Sequence, residues 1–257
     1  MLRSNKGEKI NIIKLVENNK TEMLDLVARE KELTIILNKK KIITLNCSPG
    51  NYNYLGIGFL FTTGLLLDKK DIISMKTNSK SIDIEIKNPP CSLKEMSYIS
   101  SIVENQPKDS KLSKLHSKVQ DSPSISSHTI YKLINEMQEK ASFFKLSGGV
   151  HSCALADTDG VFSLFSEDIS RYNTIDRVLG EALLKDIDTN NKIMLTSCRI
   201  TSGIIKKIIN GDIPIVISRA AVTDSAVRMA HLYCITLIGF TRGKRMNIYT
   251  HPERITL

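Results

Sequence analysis

The chain has 257 residues, and 36 Lys+Arg against 27 Asp+Glu leave a formal net charge of +9. Hydrophobic residues make up 41% and charged residues 25%, which excludes a disordered low-hydrophobicity chain, a collagen-like repeat and a disulfide-dense miniprotein. With no Trp and 5% aromatics, a single-strand nucleic-acid binder built on stacking platforms is disfavoured, whereas the basic excess favours anionic partners of some kind.

In chain order, Met1 to Lys6 lack the apolar core of a signal peptide, so a soluble, cytoplasmic protein is expected. Ile10–Ile13, Thr34–Leu37 and Lys41–Leu45 read as strands, the last two joined by the polar turn Asn38-Lys39-Lys40. Tyr54 to Leu66 reads as a mostly buried helix. The apolar stretch it belongs to is interrupted by glycines and is shorter than the roughly 20 residues that cross a bilayer, so no membrane partner is expected. Ser81–Lys87 alternates as a strand does. These elements form a small N-terminal α+β domain, residues 1–128, whose last part, from about 91 to 128, is a polar linker opened by Pro89-Pro90, with a helical piece near Leu93–Val103.

Residues 129–257 read as a layered α/β domain with a mixed sheet. A helix (Ile130–Lys140) leads to a strand near Phe143–Leu146 and a Gly148-Gly149 turn. Strands follow at Val150–Ala156, Val161–Phe165, Ile193–Thr196, Ile213–Ser218, Ile235–Phe240 and Met246–Tyr249, with helices at Asn173–Lys185, up to Asn210, and at Thr223–Leu232.

The five cysteines (Cys47, Cys91, Cys153, Cys198, Cys234) are odd in number, scattered and free of CxxC pairs, which argues against a disulfide framework and a structural zinc site. The spacing of His151, Cys153 and Asp168 is too nonspecific to define a metal site, and no metal is expected.

Polar residues of the second domain gather where strands run out: Gly149 and His151; Asp168, Arg171 and Asn173; Arg199; Arg219; and Phe240-Thr241-Arg242-Gly243-Lys244-Arg245. Ligands of open α/β sheets bind beyond the carboxyl ends of strands, helix N-termini attract anions, and arginine grips phosphate bidentately. The pattern points to a phosphorylated, nucleotide-like ligand. Each element of it also has a plainer explanation: a solvated loop arginine, a turn glycine, a core histidine. Neither GxGxxG nor GxxxxGK[ST] occurs, so neither a dinucleotide fingerprint nor a P-loop is present.

At SGGVHSCAL, SEDISRYNTIDRVLG, TSCRITSGIIKKIINGDIPIVISRAAVTDSAVRMA and ITLIGFTRGKRMNIYTHPERI, and again at Ile57 to Gly64, the sequence resembles the FdhD family of formate dehydrogenase accessory sulfurtransferases. The resemblance implies a C-terminal domain similar to the cytidine-deaminase-like fold without its zinc. It implies a homodimer that takes persulfide sulfur from a cysteine desulfurase and passes it to the molybdenum (or tungsten) bis-guanine-dinucleotide cofactor before that enters formate dehydrogenase. The family's dinucleotide-contacting segment corresponds to Phe240 through Arg245, and GDP-like nucleotides are the expected mimics.

The family's sulfur-carrying cysteine lies in a CGxCG-like loop motif, and the matching stretch here, residues 97 to 121, contains no cysteine. Family FTEG reads Phe61-Thr62-Thr63-Gly64, and EDxGRHN reads Glu167-Asp168-Ile169-Ser170-Arg171-Tyr172-Asn173. Ser, Thr and Lys cannot carry a persulfide, so transfer would need a relocated thiol, with Cys91 (nearest the loop) and Cys153 (nearest the pocket) as candidates. The expectation is therefore a cofactor-binding accessory protein for formate dehydrogenase. The alternative is a binding chaperone or regulator without sulfur chemistry; a basic nucleic-acid binder is the third reading, against which stands the lack of any recognition motif.

Overall fold

The computed structural model describes residues 6–87, 89 and 123–257. Cys91, the helical piece expected near Leu93–Val103 and the stretch 97–121 lie outside the described residues.

The chain starts with a long hairpin, β1 (Gly7–Val16) and β2 (Asn19–Ala28), paired from Gly7↔Ala28 to Val16↔Asn19. A four-stranded sheet follows, built from β3 (Lys31–Leu37), β4 (Lys40–Cys47), β5 (Ile72–Thr77) and β6 (Ser81–Ile86) in the order β4-β3-β6-β5. Its core side is set by period-two alternation: Leu33, Ile35 and Leu37 on β3 and Ile82, Ile84 and Ile86 on β6 are buried. The β3–β4 turn places Asn38 and Lys39 at φ 47° and 65°, as a tight hairpin turn requires. Asn38 also locks the sheet, donating to Ile86 O and accepting from Ile86 N. Helix α1 (Tyr52–Thr62) closes this sheet, ending four residues before the expected Leu66.

The second region has the expected mixed sheet. Strands β8 (His151–Ala156), β9 (Phe162–Asp168), β10 (Ile193–Thr196), β11 (Ile215–Ser218), β12 (Thr236–Arg242) and β13 (Arg245–Thr250) stand in the order β13-β12-β11-β10-β8-β9. Strands β10, β11 and β12 are parallel, and the outer pairs are antiparallel. One face carries α4 (Arg171–Leu184), α5 (Ser202–Asn210) and α6 (Asp224–Leu232), which bury Ile175, Val178, Leu179, Ile204, Ile205 and Ile208. The other carries α2 (Ser127–Lys140), with Ile130, Leu133, Ile134 and Met137 against Ile193, Ile215 and Ile217. The small pair β7 (Ile125–Ser126) and β14 (Ile255–Thr256) ties the last residues to the start of α2. Ser126 caps α2 by accepting from Thr129 N (3.0 Å), so regular structure begins before the expected linker end at His128.

One element differs in type. Phe143–Leu146, expected as a strand, lies in the short helix α3 (Ser142–Ser147). A four-residue apolar run does not distinguish strand from helix. Here the buried Glu167 carboxylate takes the free N–H groups of Phe143 (3.3 Å) and Phe144 (2.9 Å), and Gly148 at φ 64° ends the turn.

The two regions meet where α1 crosses α4. A Cβ on Gly58 would lie 1.7 Å from Asp176 O, and one on Gly180 would lie 2.0 Å from Tyr54 O, so the helix backbones touch at these glycines.

Candidate functional site

The topology explains why the polar clusters share one place. The carboxyl ends of β10, β11 and β12 lead to Arg199, Arg219 and Arg242, while antiparallel β8 starts at His151 and β9 ends at Asp168, paired with it. Thus His151, Asp168, Arg199, Arg219 and Arg242 stand along one sheet end.

The electrostatics at that end are unusual. Arg219 is half-buried, and its Nε is shielded from solvent with no hydrogen-bond partner. Burial, and then the neighbouring Arg242, lower the Arg219 pKa. Arg242 donates from Nε to Arg219 O (3.0 Å), holding the two cations side by side. Thr241 between the strands is fully buried, and its Oγ1 is likewise unpartnered. Arg171 lies over the Tyr172 ring, 5.0 Å from its centroid. Burial, then Arg171 and Arg199, hold His151 below its ordinary pKa, so it is neutral at pH 7. Among the described residues, none of Arg171, Arg199, Arg219, Arg242, Lys244 and Arg245 is paired with a carboxylate. Buried polar groups without partners are rare in folded proteins and mark either strain or a missing ligand.

The segment Phe240–Arg245 is built for exposure. Phe240 sits at φ 51° beside a register shift in β12, its N–H given to Ala220 O. Gly243, at φ 58°, makes the tight turn to β13 and leaves Arg242, Lys244 and Arg245 in solvent. Beside Arg219 opens a cavity of about 490 Å³, lined also by His151, Gly149, Ser197, Phe144 and Gln138. Gly149 packs its Cα against the base of the hairpin, where a Cβ would meet the Ala28 side chain at 2.9 Å.

Two expected ligand contacts are placed differently. Asp168 is fully buried, and its carboxylate accepts from Arg177 Nε (2.8 Å), Ser48 N (3.1 Å), Ser170 N (3.0 Å) and Asn173 Nδ2 (3.0 Å). Asn173 spends its amide on Asp168 and Asn46 O. Both Asp168 carboxylate oxygens and the Asn173 amide nitrogen are engaged internally, so these groups tie the site's backbone together and are not free to hold a ligand. Their local spacing reads the same either way from sequence, because the partners Ser48 and Asn46 are over 100 residues distant.

Three of the four described thiols are also withdrawn, while Cys234 is half-buried. Cys153 is fully buried, which pushes its pKa well up, and burial raises that of Cys198 as well. Burial pushes Cys47 up to about 11, assisted by Asp168 and opposed by Arg177. None of the three is a thiolate at neutral pH. Among the described residues, no three His, Cys, Asp or Glu side chains gather closely enough to hold a metal.

A second cavity, of about 550 Å³, opens at the junction of the two regions. On its wall Lys207 donates to Asp176 Oδ1 (2.7 Å) and Thr62 Oγ1 (2.9 Å), and Thr62 donates to the same carboxylate (2.6 Å). Burial raises the Asp176 pKa against the pull of Lys207. Sequence inspection misses this triad, since Thr62, Asp176 and Lys207 lie in three separate helices; the only trace is a lysine on the otherwise apolar face of α5.

Fold and site together define a two-region α/β protein with a cluster of cations at one sheet end. The FdhD/NarQ family profile matches residues 28–256, and the chain belongs to that family. It is 32% identical over 252 residues to the sulfur carrier protein FdhD of Shouchella clausii, covering 91% of each chain. Its identity is 32% over 243 residues to that of Bacillus subtilis, covering 90% of each. To that of Saccharolobus solfataricus it is 31% over 253 residues, covering 96% of this chain and 98% of the relative. A crystal structure from Desulfotalea psychrophila, of a protein proposed to be a formate dehydrogenase accessory protein, superimposes with a TM-score of 0.80 at 24% identity, over 97% of this chain and 99% of that one.

Proposed function

We propose that this chain is an accessory protein of formate dehydrogenase maturation that binds the guanine-dinucleotide form of the molybdenum or tungsten cofactor at the sheet end. The observation that carries this is Arg219: a half-buried guanidinium whose Nε is shielded and unpartnered, beside Arg242, in a cluster of cations without carboxylates. Phosphate oxygens are the groups that satisfy such donors. The cofactor has several, and they fit Arg199, Arg219 and Arg242, with Phe240–Arg245 flanking. When bound, the cofactor would supply the metal-dithiolene chemistry of the client enzyme, and Arg199, Arg219 and Arg242 would hold its phosphates. The accessory role is supported by relatives named sulfur carrier protein FdhD and by the similar structure titled a formate dehydrogenase accessory protein.

The test is calorimetry with GDP, using Arg219→Met and Arg242→Ala as controls. Micromolar or tighter binding by the wild type that both variants lose supports the reading; no binding to wild type ends it.

A second reading, binding without sulfur transfer, is favoured by a specific observation. Residues 97–121 lack cysteine, and Cys47, Cys153 and Cys198 are buried protonated thiols. Sulfane sulfur from a desulfurase persulfide then has Cys91 or the half-buried Cys234 as its acceptor, or none. A persulfide-transfer assay on wild type, Cys91→Ser and Cys234→Ser separates the two: transfer in wild type that one or both variants lose supports a carrier, and none in wild type supports a chaperone.

A further inference from the structure

Three departures from the family's motifs meet in one place. Thr63 stands where FTEG has Glu, and Ser170 and Tyr172 stand where EDxGRHN has Gly and His. Thr63 follows α1 and Ser170 precedes α4, far apart in the chain, yet all three residues line the cavity of about 550 Å³ between the two regions. The exchange at position 63 decides the charge of that cavity. Among the described residues its lining holds one carboxylate, Asp176, and two ammonium groups, Lys206 and Lys207. Lys207 is committed to Asp176 and Thr62. Lys206, half-buried on the same helix α5, has neither an ion pair nor a hydrogen bond among the described residues. One positive charge is left over, which a glutamate at position 63 would offset.

The hydroxyls that replace the family's residues are donors. Ser170 sits at the N-cap of α4 but makes no capping bond, so its hydroxyl is unused. Tyr172 Oη accepts from Arg171 Nη2 (3.5 Å) and keeps a proton to give, either to Thr201 Oγ1 (3.4 Å) or into the cavity. A Cβ on Gly203 would stand 3.2 Å from that oxygen, so glycine gives the hydroxyl its room. Thr63 spends its own hydroxyl on Phe59 O (2.6 Å) and brings no charge. The remaining wall is apolar, made by Ile43, Leu45, Phe59 and Ile169. Small ligands bind in cavities of this size, between structural units, where apolar walls carry a few placed polar groups. A lone cation in such a wall selects for an anion.

We infer that the junction cavity takes a small organic acid, its carboxylate on Lys206 with the Ser170 and Tyr172 hydroxyls donating, and its apolar body against Leu45 and Phe59. The site belongs to this chain's own residues, because a glutamate at position 63 would repel the same ligand. It is separate from the phosphate site at the sheet end and stands or falls without it.

Calorimetric titrations of the full chain with benzoate test it, with benzyl alcohol and benzylamine as neutral and cationic counterparts, in wild type, Lys206→Met, Thr63→Glu and Arg219→Met. Wild type binds benzoate about tenfold more tightly than either counterpart, the size of one charge-assisted contact. Lys206→Met weakens benzoate about tenfold and leaves benzyl alcohol within about twofold. Thr63→Glu weakens benzoate by about tenfold or more and strengthens benzylamine. Arg219→Met leaves benzoate binding unchanged, and the methyl resonances of Ile43 and Leu45 shift as benzoate saturates the wild type. No benzoate binding by wild type, equal affinity for the three probes, or benzoate binding that Lys206→Met and Thr63→Glu both leave intact overturns the inference. Loss of benzoate binding in Arg219→Met places the anion at the sheet end and overturns it as well. Circular dichroism confirms that the variants fold, which a half-buried Lys206 and the family's own residue at position 63 allow.

Discussion

Arg177 and Arg219 stand at the same end of the C-terminal sheet, one against the end of β9 and the other after β11. Arg177 is 4% exposed and saturated: it pairs with Asp168, donates to Ser48 O (2.6 Å), and reaches Asn51 O and Gly50 O as well. Through it, the segment after β4 is sewn to β9 and α4. Arg219 is half-buried with its Nε shielded, yet it has no carboxylate and keeps a like charge, Arg242, as its neighbour. A buried cation with every donor satisfied holds a fold together; one left unsatisfied beside another cation costs stability and is explained by an anion that completes it. Residue type does not separate the two; satisfaction does.

That difference can be broken at several points. The largest effect belongs to the saturated arginine. Arg177→Met leaves Asp168 buried and unpaired, and urea denaturation shows a loss of about 3–5 kcal/mol. Arg219→Met has the opposite profile. Its unfolding free energy is unchanged or higher by up to about 1 kcal/mol, because a desolvated charge and its repulsion are removed, while pyrophosphate affinity falls about tenfold. If Arg219→Met is instead as unstable as Arg177→Met, the contrast fails. Arg199→Ala removes an exposed cation and lowers pyrophosphate affinity about threefold, an effect that fades as salt is raised.

The smallest effect is on pH dependence. His151 is held below its ordinary value of 6.5, so below that value the unfolded chain takes up the proton more readily than the folded one. Its contribution to stability is therefore complete above pH 6.5 and is lost as pH falls through it. His151→Gln flattens this acid limb of the stability curve, read from denaturant midpoints between about pH 7.5 and 5.5. A curve identical to wild type means that neither burial nor Arg171 and Arg199 hold this ring below its ordinary value.

The same contrast shows what was legible in the sequence. The mixed sheet, its order of strand and helix, and the gathering of Arg199, Arg219 and Arg242 followed from periodicity and from strand ends, which are local. β2 and β5 were not legible: β2 is exposed on both faces, with Met23 at 40% and Leu24 at 55%, so no buried face imposes alternation. α3 was misread because its helix is decided by a carboxylate more than 20 residues away, on Glu167. Asp168 and Asn173 were grouped with the ligand contacts because their satisfaction depends on Ser48 and Asn46, from another region. Charge position is local information; charge compensation is tertiary.

The most direct test watches the two guanidinium groups at once. In a protein with ¹⁵N-labelled arginine, the Nε–H resonances of Arg177 and Arg219 are followed while inorganic pyrophosphate is added. The account predicts that the Arg219 signal moves downfield and saturates, as a free donor gains an acceptor, while that of Arg177, already bound to Asp168, stays in place. An Arg219 signal that does not move at saturating pyrophosphate, or an Arg177 signal that moves with it, contradicts the account.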